Sequence, residues 1–253
     1  MNAASTVFQM TVSPDFPPKR MSGWFIFNTW LQKTLEQHIH LELYQDFDSQ
    51  REAIAADRVD LIYANPFDAS MLVRDKGFVP LVRAIGHADE CLIAVRETAT
   101  VHTVEDLQPG CRIASTDDPD VNLVGMIMLE PADLDSSNTQ SVHAASYPLV
   151  AKSLLRDEAD VGFFLEEAFH DLSNLVKSQL RPIVHSQISD ISHVFLVGPR
   201  LADKRDAIRS VLMNMMTDPK GMAVLTELGF SAWKILNQED TEFMIDLMDT
   251  LKA

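Results

Sequence analysis

The stretch AADRVDLIYANPFDAS, residues 55–70, decides the fold. Its middle, Val59-Asp60-Leu61-Ile62-Tyr63, is a short apolar run of strand length. Asn65-Pro66 then suits the N-cap and first position of a helix, expected to run to Lys76. Upstream, an amphipathic helix from Ser49 to Ala56 feeds the strand. Before it stand a strand at Leu41-Glu42-Leu43-Tyr44 and a first strand at Val7–Val12. Between those two strands, Trp24, Phe25, Phe27, Trp30, Leu31 and Leu35 recur at helical spacing and end near His38. The order β-α-β-α-β implies parallel strands joined by right-handed crossovers.

Downstream, strands are expected at 78–84 and 90–95. After Val101–Leu107 and a Pro-Gly turn, a second βα series places strands at 112–115, 140–144 and 161–164, with helices around 123–129 and 149–156. A strand at His193–Val197 leads back to helices over 204–216, 219–228 and 239–251, with Gly229 as a C-cap. No Gly-, Ser- or Pro-rich linker divides the chain, so two lobes are expected to interleave. The first lobe takes residues 1–88, the second 89–187, and 188–253 returns to the first and adds the C-terminal helices. Crossings near 85–95 and 186–197 would form a hinge of two strand-like connections beside a ligand cleft.

Composition narrows the partners. The 253 residues carry 37 acidic against 21 basic side chains, a net charge of −16. That balance argues against nucleic acid, which needs a basic footprint, and against an anionic membrane surface. No apolar run approaches the roughly 18 residues of a membrane span, so no membrane insertion is expected. The start, MNAASTVFQMTVSPDF, has no basic n-region and no continuous apolar h-region. As written it reads as cytoplasmic, or as periplasmic if a signal was removed before the numbering began. Cys91 and Cys111 lie outside any CxxC or Cys/His metal spacing and read as buried free thiols, with a disulfide left open by spacing alone.

Several segments in order resemble the phosphonate/phosphite-type substrate-binding proteins of ABC importers, within the type II periplasmic-binding fold. They are AADRVDLIYANPFDAS, LIAVRETATVHTVEDLQPGCRIAS, SLLRDEADVGFF and VGPRLADKRDAIRSVLMNMMTDPKGMAVLTELGFSAW. The resemblance runs from about residue 7 to about residue 250. It implies a two-lobed α/β fold, a small-molecule ligand in an interlobe cleft, an ABC permease or a cytosolic protein as partner, and no cofactor or metal.

In that family a Ser-Thr-Ser-Gly turn at a helix N-terminus catches the oxyanion, where free N–H groups and the helix dipole favour negative charge. The matching stretch here is Ser115-Thr116-Asp117-Asp118-Pro119-Asp120-Val121-Asn122. One alignment puts Val121, Asn122 and Leu123 where the hydroxyls should be; another keeps Ser115 and Thr116 and then meets three aspartates. A family Tyr aligns with Phe47, an aromatic with Ala69, and a His with Tyr147, although His143 is near. The resemblance therefore implies the fold, and an altered ligand site.

Ligand contacts are expected from loops at the C-terminal ends of strands. These carry Ser13, Pro14 and Asp15; Tyr63, Asn65, Pro66 and Phe67; and Ser115, Thr116, Asp117, Ser146, Tyr147, Phe164 and Glu166, with Phe47, Asn122 and His143 added by the resemblance. Each has a plainer reading. Ser13–Asp15 suits a polar turn, Asn65-Pro66 a helix start, Tyr147 helix-entry packing, and Asp117, Asp118 and Asp120 caps on a solvated rim. Those aspartates lack the Gly and closing Glu of a calcium loop. His38 and His40 straddle a helix-to-strand junction, and His185 and His193 flank the return crossing. No H-E-x-x-H, P-loop or G-x-S-x-G occurs.

Three functions compete at this point. The first is a solute-binding protein of an ABC importer with an altered ligand site. The second is a cytosolic sensor or partner-binding protein derived from it. The third is an enzyme on the same scaffold, such as a pyrimidine-synthesis activity, for which no catalytic set is identified. Binding without chemistry ranks first.

Overall fold

The computed structural model describes residues 7–16, 18–188 and 190–252. By internal contacts the chain divides into two units, Met1–His87 with Ser192–Met248, and Ala88–Ile191 with Asp249–Ala253. The first run contains β1 (Val7–Val12), α1 (Met21–Leu35), β2 (His38–Leu41), α2 (Phe47–Ala55), β3 (Leu61–Ala64), α3 (Pro66–Lys76) and β4 (Val79–Ala84). The second unit holds β5 (Cys91–Arg96), β6 (Arg112–Ser115), α4 (Pro119–Ile127), β7 (Gln140–His143) and α5 (Tyr147–Leu155). It continues with β8 (Val161–Leu165), α6 (Glu166–Asp171), α7 (Asn174–Lys177) and β9 (Leu180–His185). The return carries β10 (Val194–Val197), α8 (Arg205–Asn214), α9 (Pro219–Leu228), β11 (Trp233–Ile235) and α10 (Gln238–Lys252).

The first sheet has six strands in the order β11-β4-β10-β3-β1-β2, the second five in the order β7-β6-β8-β5-β9. β1 pairs in parallel with β2 and with β3, as the crossover pattern requires. β10 runs antiparallel between β3 and β4, so Val194 at its start lies opposite Ala64 at the end of β3. In the second sheet β6 pairs in parallel with β7 and β8, while β5 is antiparallel to β8 and β9.

Alternation along the strands explains the packing. In β3, Leu61 and Tyr63 join one apolar cluster while Ile62 and Ala64 join the opposite one. β10 divides the same way, Phe195 and Val197 against Val194 and Leu196. A central strand buried on both faces reads as a continuous apolar run. Trp24 and Phe27 of α1 are buried under this sheet.

Three local expectations shift. His38 and His40 both lie in β2, on its exposed face, with Ile39 and Leu41 buried; no helix-to-strand junction separates them. β2 is an edge strand, so one face can stay polar and the apolar alternation begins earlier than Leu41. β9 is unanticipated because Pro182 argues against a strand, yet β9 is an edge, where Pro is tolerated. β11, only three residues long at the other sheet's edge, is too short to leave a periodic signal.

Within the second unit the incoming and outgoing segments are tied together. The Ser186 hydroxyl donates to the Glu90 carboxylate and accepts from the Cys91 N–H at 2.9 Å. The same carboxylate accepts from the Ile188 N–H at 3.0 Å. Cys91 and Cys111 are free and buried, and burial pushes both thiols up from the ordinary range. α4 lies close on β8 because Gly125 has no side chain; a Cβ there would stand 2.5 Å from the Phe163 ring. That contact fixes where the start of α4 falls.

Candidate ligand-binding site

In the first unit, the ends of β1 and β3 are joined by hydrogen bonds. The Ser13 N–H donates to the Tyr63 carbonyl at 2.8 Å, and the Asn65 amide donates to the Ser13 hydroxyl at 3.2 Å. Asn65 caps α3, its Oδ1 accepting from the Asp68 N–H at 2.7 Å, with Pro66 at the first helical position. The buried Asp68 carboxylate takes the Asn65 amide at 3.1 Å and the Arg51 Nε at 2.7 Å. Arg51 in turn lies 5.3 Å from the ring centroids of both Phe47 and Phe67. Ser13, Asn65, Pro66 and Phe47 are thus one connected group, with every polar member serving the turn itself.

Asp15 and Tyr63 meet through a residue that sequence reading placed only on the return crossing. The Asp15 carboxylate pairs with His193 Nε2 at 2.9 Å, the two side chains being 3% and 9% exposed. The His193 ring stacks on Tyr63 with centroids 5.5 Å apart and takes the edge of Phe16 at 5.3 Å. His193 reaches this position because β10 runs antiparallel beside β3, which sets its start against β3's end. The antiparallel return was the missing information; a strand expected at His193–Val197 carried no orientation.

In the second unit, the start of α4 is closed by its own side chains. Asp118 is the N-cap, its Oδ1 accepting from the N–H groups of Asp120 and Val121 at 3.2 Å each. Tyr147, first residue of α5, donates its hydroxyl to Asp118 Oδ2 at 2.6 Å and stacks on Phe164 with centroids 6.2 Å apart. Phe164 itself is fully buried in the core. Thr116 accepts the Asp118 N–H at its hydroxyl, 3.3 Å, and the Asn122 amide at its carbonyl, 2.7 Å. Ser115 closes β6, its carbonyl accepting from the Ala144 N–H at 2.9 Å.

The solvated-rim reading of the aspartates holds for one of the three. Asp117 is exposed and lies 3.1 Å from His143 Nδ1, also exposed. Asp118 and Asp120 are buried, because Pro119 turns the chain straight into the helix. Ser146 precedes α5 without a side-chain cap bond. Glu166 belongs to a different group, its Oε1 3.6 Å from both His170 Nε2 and His185 Nδ1. Among the described residues no three His, Cys, Asp or Glu side chains are grouped to hold a metal ion.

A sequence profile described as "ABC transporter, phosphonate, periplasmic substrate-binding protein" matches residues 10–241. The chain belongs to this family. Its members are substrate-binding proteins, and a solute-binding role follows for this one. Similar solved structures include PhnD1 from Prochlorococcus marinus in complex with methylphosphonate, at 11% identity and TM-score 0.82, covering 97% of this chain and 98% of that one. A protein from Xanthomonas citri bound to chloride ion is 16% identical, with TM-score 0.81 and coverage of 98% and 99%. A binding protein component of an ABC phosphonate transporter from Pseudomonas aeruginosa is 14% identical, with TM-score 0.78 and coverage of 98% and 89%. These likenesses establish the two-lobed fold. No match was found among curated proteins. Among the described residues no helix of this family member is long and apolar enough to cross a membrane.

Proposed function

We propose that this family member binds a solute other than a phosphonate, phosphite or phosphate, because its own Asp118 carboxylate fills the oxyanion position at the start of α4. The observation that carries the reading is that donors already sit on that carboxylate, among them the N–H groups of Asp120 and Val121 and the Tyr147 hydroxyl. In the family these are the kinds of group that would meet a bound anion.

Magnitudes favour exclusion. A like unit charge 4 Å from Asp118 costs about 4 kcal/mol at an effective dielectric of about 20. The helix start returns at most about 2 kcal/mol to an anion, and here it already serves Asp118. A dianion faces the repulsion twice. The role remains that of a substrate-binding protein, with an ABC permease as the recipient of its solute.

Thermal unfolding with methylphosphonate, phosphite and inorganic phosphate tests the reading. A true ligand at 100 times its Kd adds about 2.7 kcal/mol of stability. The expected result is no shift with any of the three. A strong shift with methylphosphonate overturns the altered-site reading. A flat response to every solute tried favours a partner-binding role instead.

A further inference from the structure

We infer that Asp15 forms an amine-recognition site in the first unit, and that the solute it takes is a small primary ammonium compound; this rests on the solute-binding reading above. The Asp15 side chain is 3% exposed, and only Oδ2 meets His193. Its Oδ1 is buried and has no hydrogen-bond partner among the described residues. The hydroxyl of Ser192, next to His193 in the chain, is buried and lacks a partner in the same sense. A buried carboxylate oxygen left without a donor is costly, so such a group marks a place where something else supplies one.

The surroundings select what that is. His193 lies between Tyr63 and Phe16, and Phe16 and Tyr63 are themselves 5.5 Å apart by centroids. These rings pack on His193 and hold the partner of Oδ2 in place, while the carboxylate itself attracts a cation and repels an anion. The net charge of −16 draws cations by its long-range field. Asp15 Oδ1 can only accept, and the Ser192 hydroxyl oxygen can accept as well. A primary ammonium brings three N–H donors, whereas a quaternary ammonium brings none. The hydrogen-bonding requirement therefore favours the primary amine over a methylated one.

The test uses the whole protein and calorimetric titration with ethanolamine, choline and methylphosphonate, followed by ethanolamine with Asp15→Asn. Ethanolamine is expected to bind at least tenfold more tightly than choline, and Asp15→Asn to weaken it at least a hundredfold while the far-ultraviolet circular dichroism stays unchanged. Equal or tighter binding of choline overturns the inference, as does ethanolamine binding untouched by Asp15→Asn. If Asp15→Asn does not fold, the ethanolamine-to-choline ratio of the unaltered protein decides. Binding of methylphosphonate alone sinks both this inference and the altered-site reading but leaves solute binding standing. Should a wider panel of neutral solutes bind and no amine do so, only the amine inference falls.

Discussion

The strand ends of the two units treat their buried carboxylates in opposite ways. In the second unit Asp118 has two backbone donors on one oxygen and a tyrosine hydroxyl on the other. In the first unit Asp15 has His193 on one oxygen and, among the described residues, nothing on the other. A satisfied buried carboxylate is part of the scaffold, because it stabilises a helix start and a packing contact at once. A half-satisfied one is held at a cost that the surrounding fold must offset, which is the pattern of a site kept ready for a ligand. Family membership alone would have placed the ligand's charge at α4. The carboxylate oxygen without a partner among the described residues lies in the first unit.

The largest effect expected from breaking this contrast is at Asp118. Asp118→Ala removes an N-cap, about 1–2 kcal/mol, and leaves the buried Tyr147 hydroxyl without its acceptor, a further 1–3 kcal/mol. A loss of about 3 kcal/mol, read as a lower urea midpoint at unchanged slope, is the expected outcome. Asp118→Asn keeps an oxygen able to cap and removes the charge, so its loss should be well under half of that. If alanine costs less than about 1 kcal/mol, Asp118 is not the resident group described here. The asparagine variant also sharpens the comparison: removing the charge should raise methylphosphonate affinity from undetectable to measurable.

A smaller effect is expected at the Arg112–Asp160 pair, also in the second unit. Arg112 meets Asp160 through its N–H at 2.8 Å, Nε at 3.1 Å and Nη2 at 2.7 Å, and its Nη1 reaches the Asp157 carbonyl at 2.7 Å. Hydrogen bonding from Arg112 holds the Asp160 carboxyl below the usual aspartate range. A depressed folded value means that the contribution is fully present above the ordinary aspartate pKa of about 3.9 and fades as pH falls through the lower folded one. Both side chains are over a third solvent-accessible, so water screens the pair and its net contribution is small. Arg112→Ala should therefore lower the urea midpoint at pH 7 slightly, by less than Asp118→Ala, and flatten the acid side of the stability curve. An unchanged acid limb would show that the pair contributes nothing.

Much of the scaffold was legible because the signals were local. Pro66 after Asn65, Pro119 after Asp118 and Pro219 after Asp218 each begin a helix at the position their chemistry favours. The apolar runs of β3 and β10 announce strands buried on both faces. The site was legible only in part, since its decisive contacts join residues far apart in sequence. Asp15 and His193 are separated by 178 positions, and their meeting depends on β10 returning antiparallel next to β3. The pairing of Tyr147 with Asp118 likewise needs α4 and α5 to begin at the ends of adjacent strands, β6 and β7. Helix-start composition could show that Asp118 caps; it could not show which hydroxyl would find its second oxygen.

The smallest change expected on stability, and the sharpest test of the contrast, is Asp15→Asn. If Asp15 were scaffold in the manner of Asp118, with both carboxylate oxygens satisfied, replacing it would cost a few kcal/mol, because buried donors would lose their acceptor. A ligand-directed carboxylate behaves otherwise. The asparagine oxygen can still accept from His193 Nε2, and the half-satisfied carboxylate, itself a burden on the folded state, is gone. The net change should lie within about 1 kcal/mol of zero and can be stabilising, as is common when a strained binding group is relaxed. Urea unfolding of Asp15→Asn beside Asp118→Ala makes the comparison directly. Equal losses would place both carboxylates in the scaffold; a loss at Asp118 alone assigns one unit's carboxylate to folding and the other's to binding.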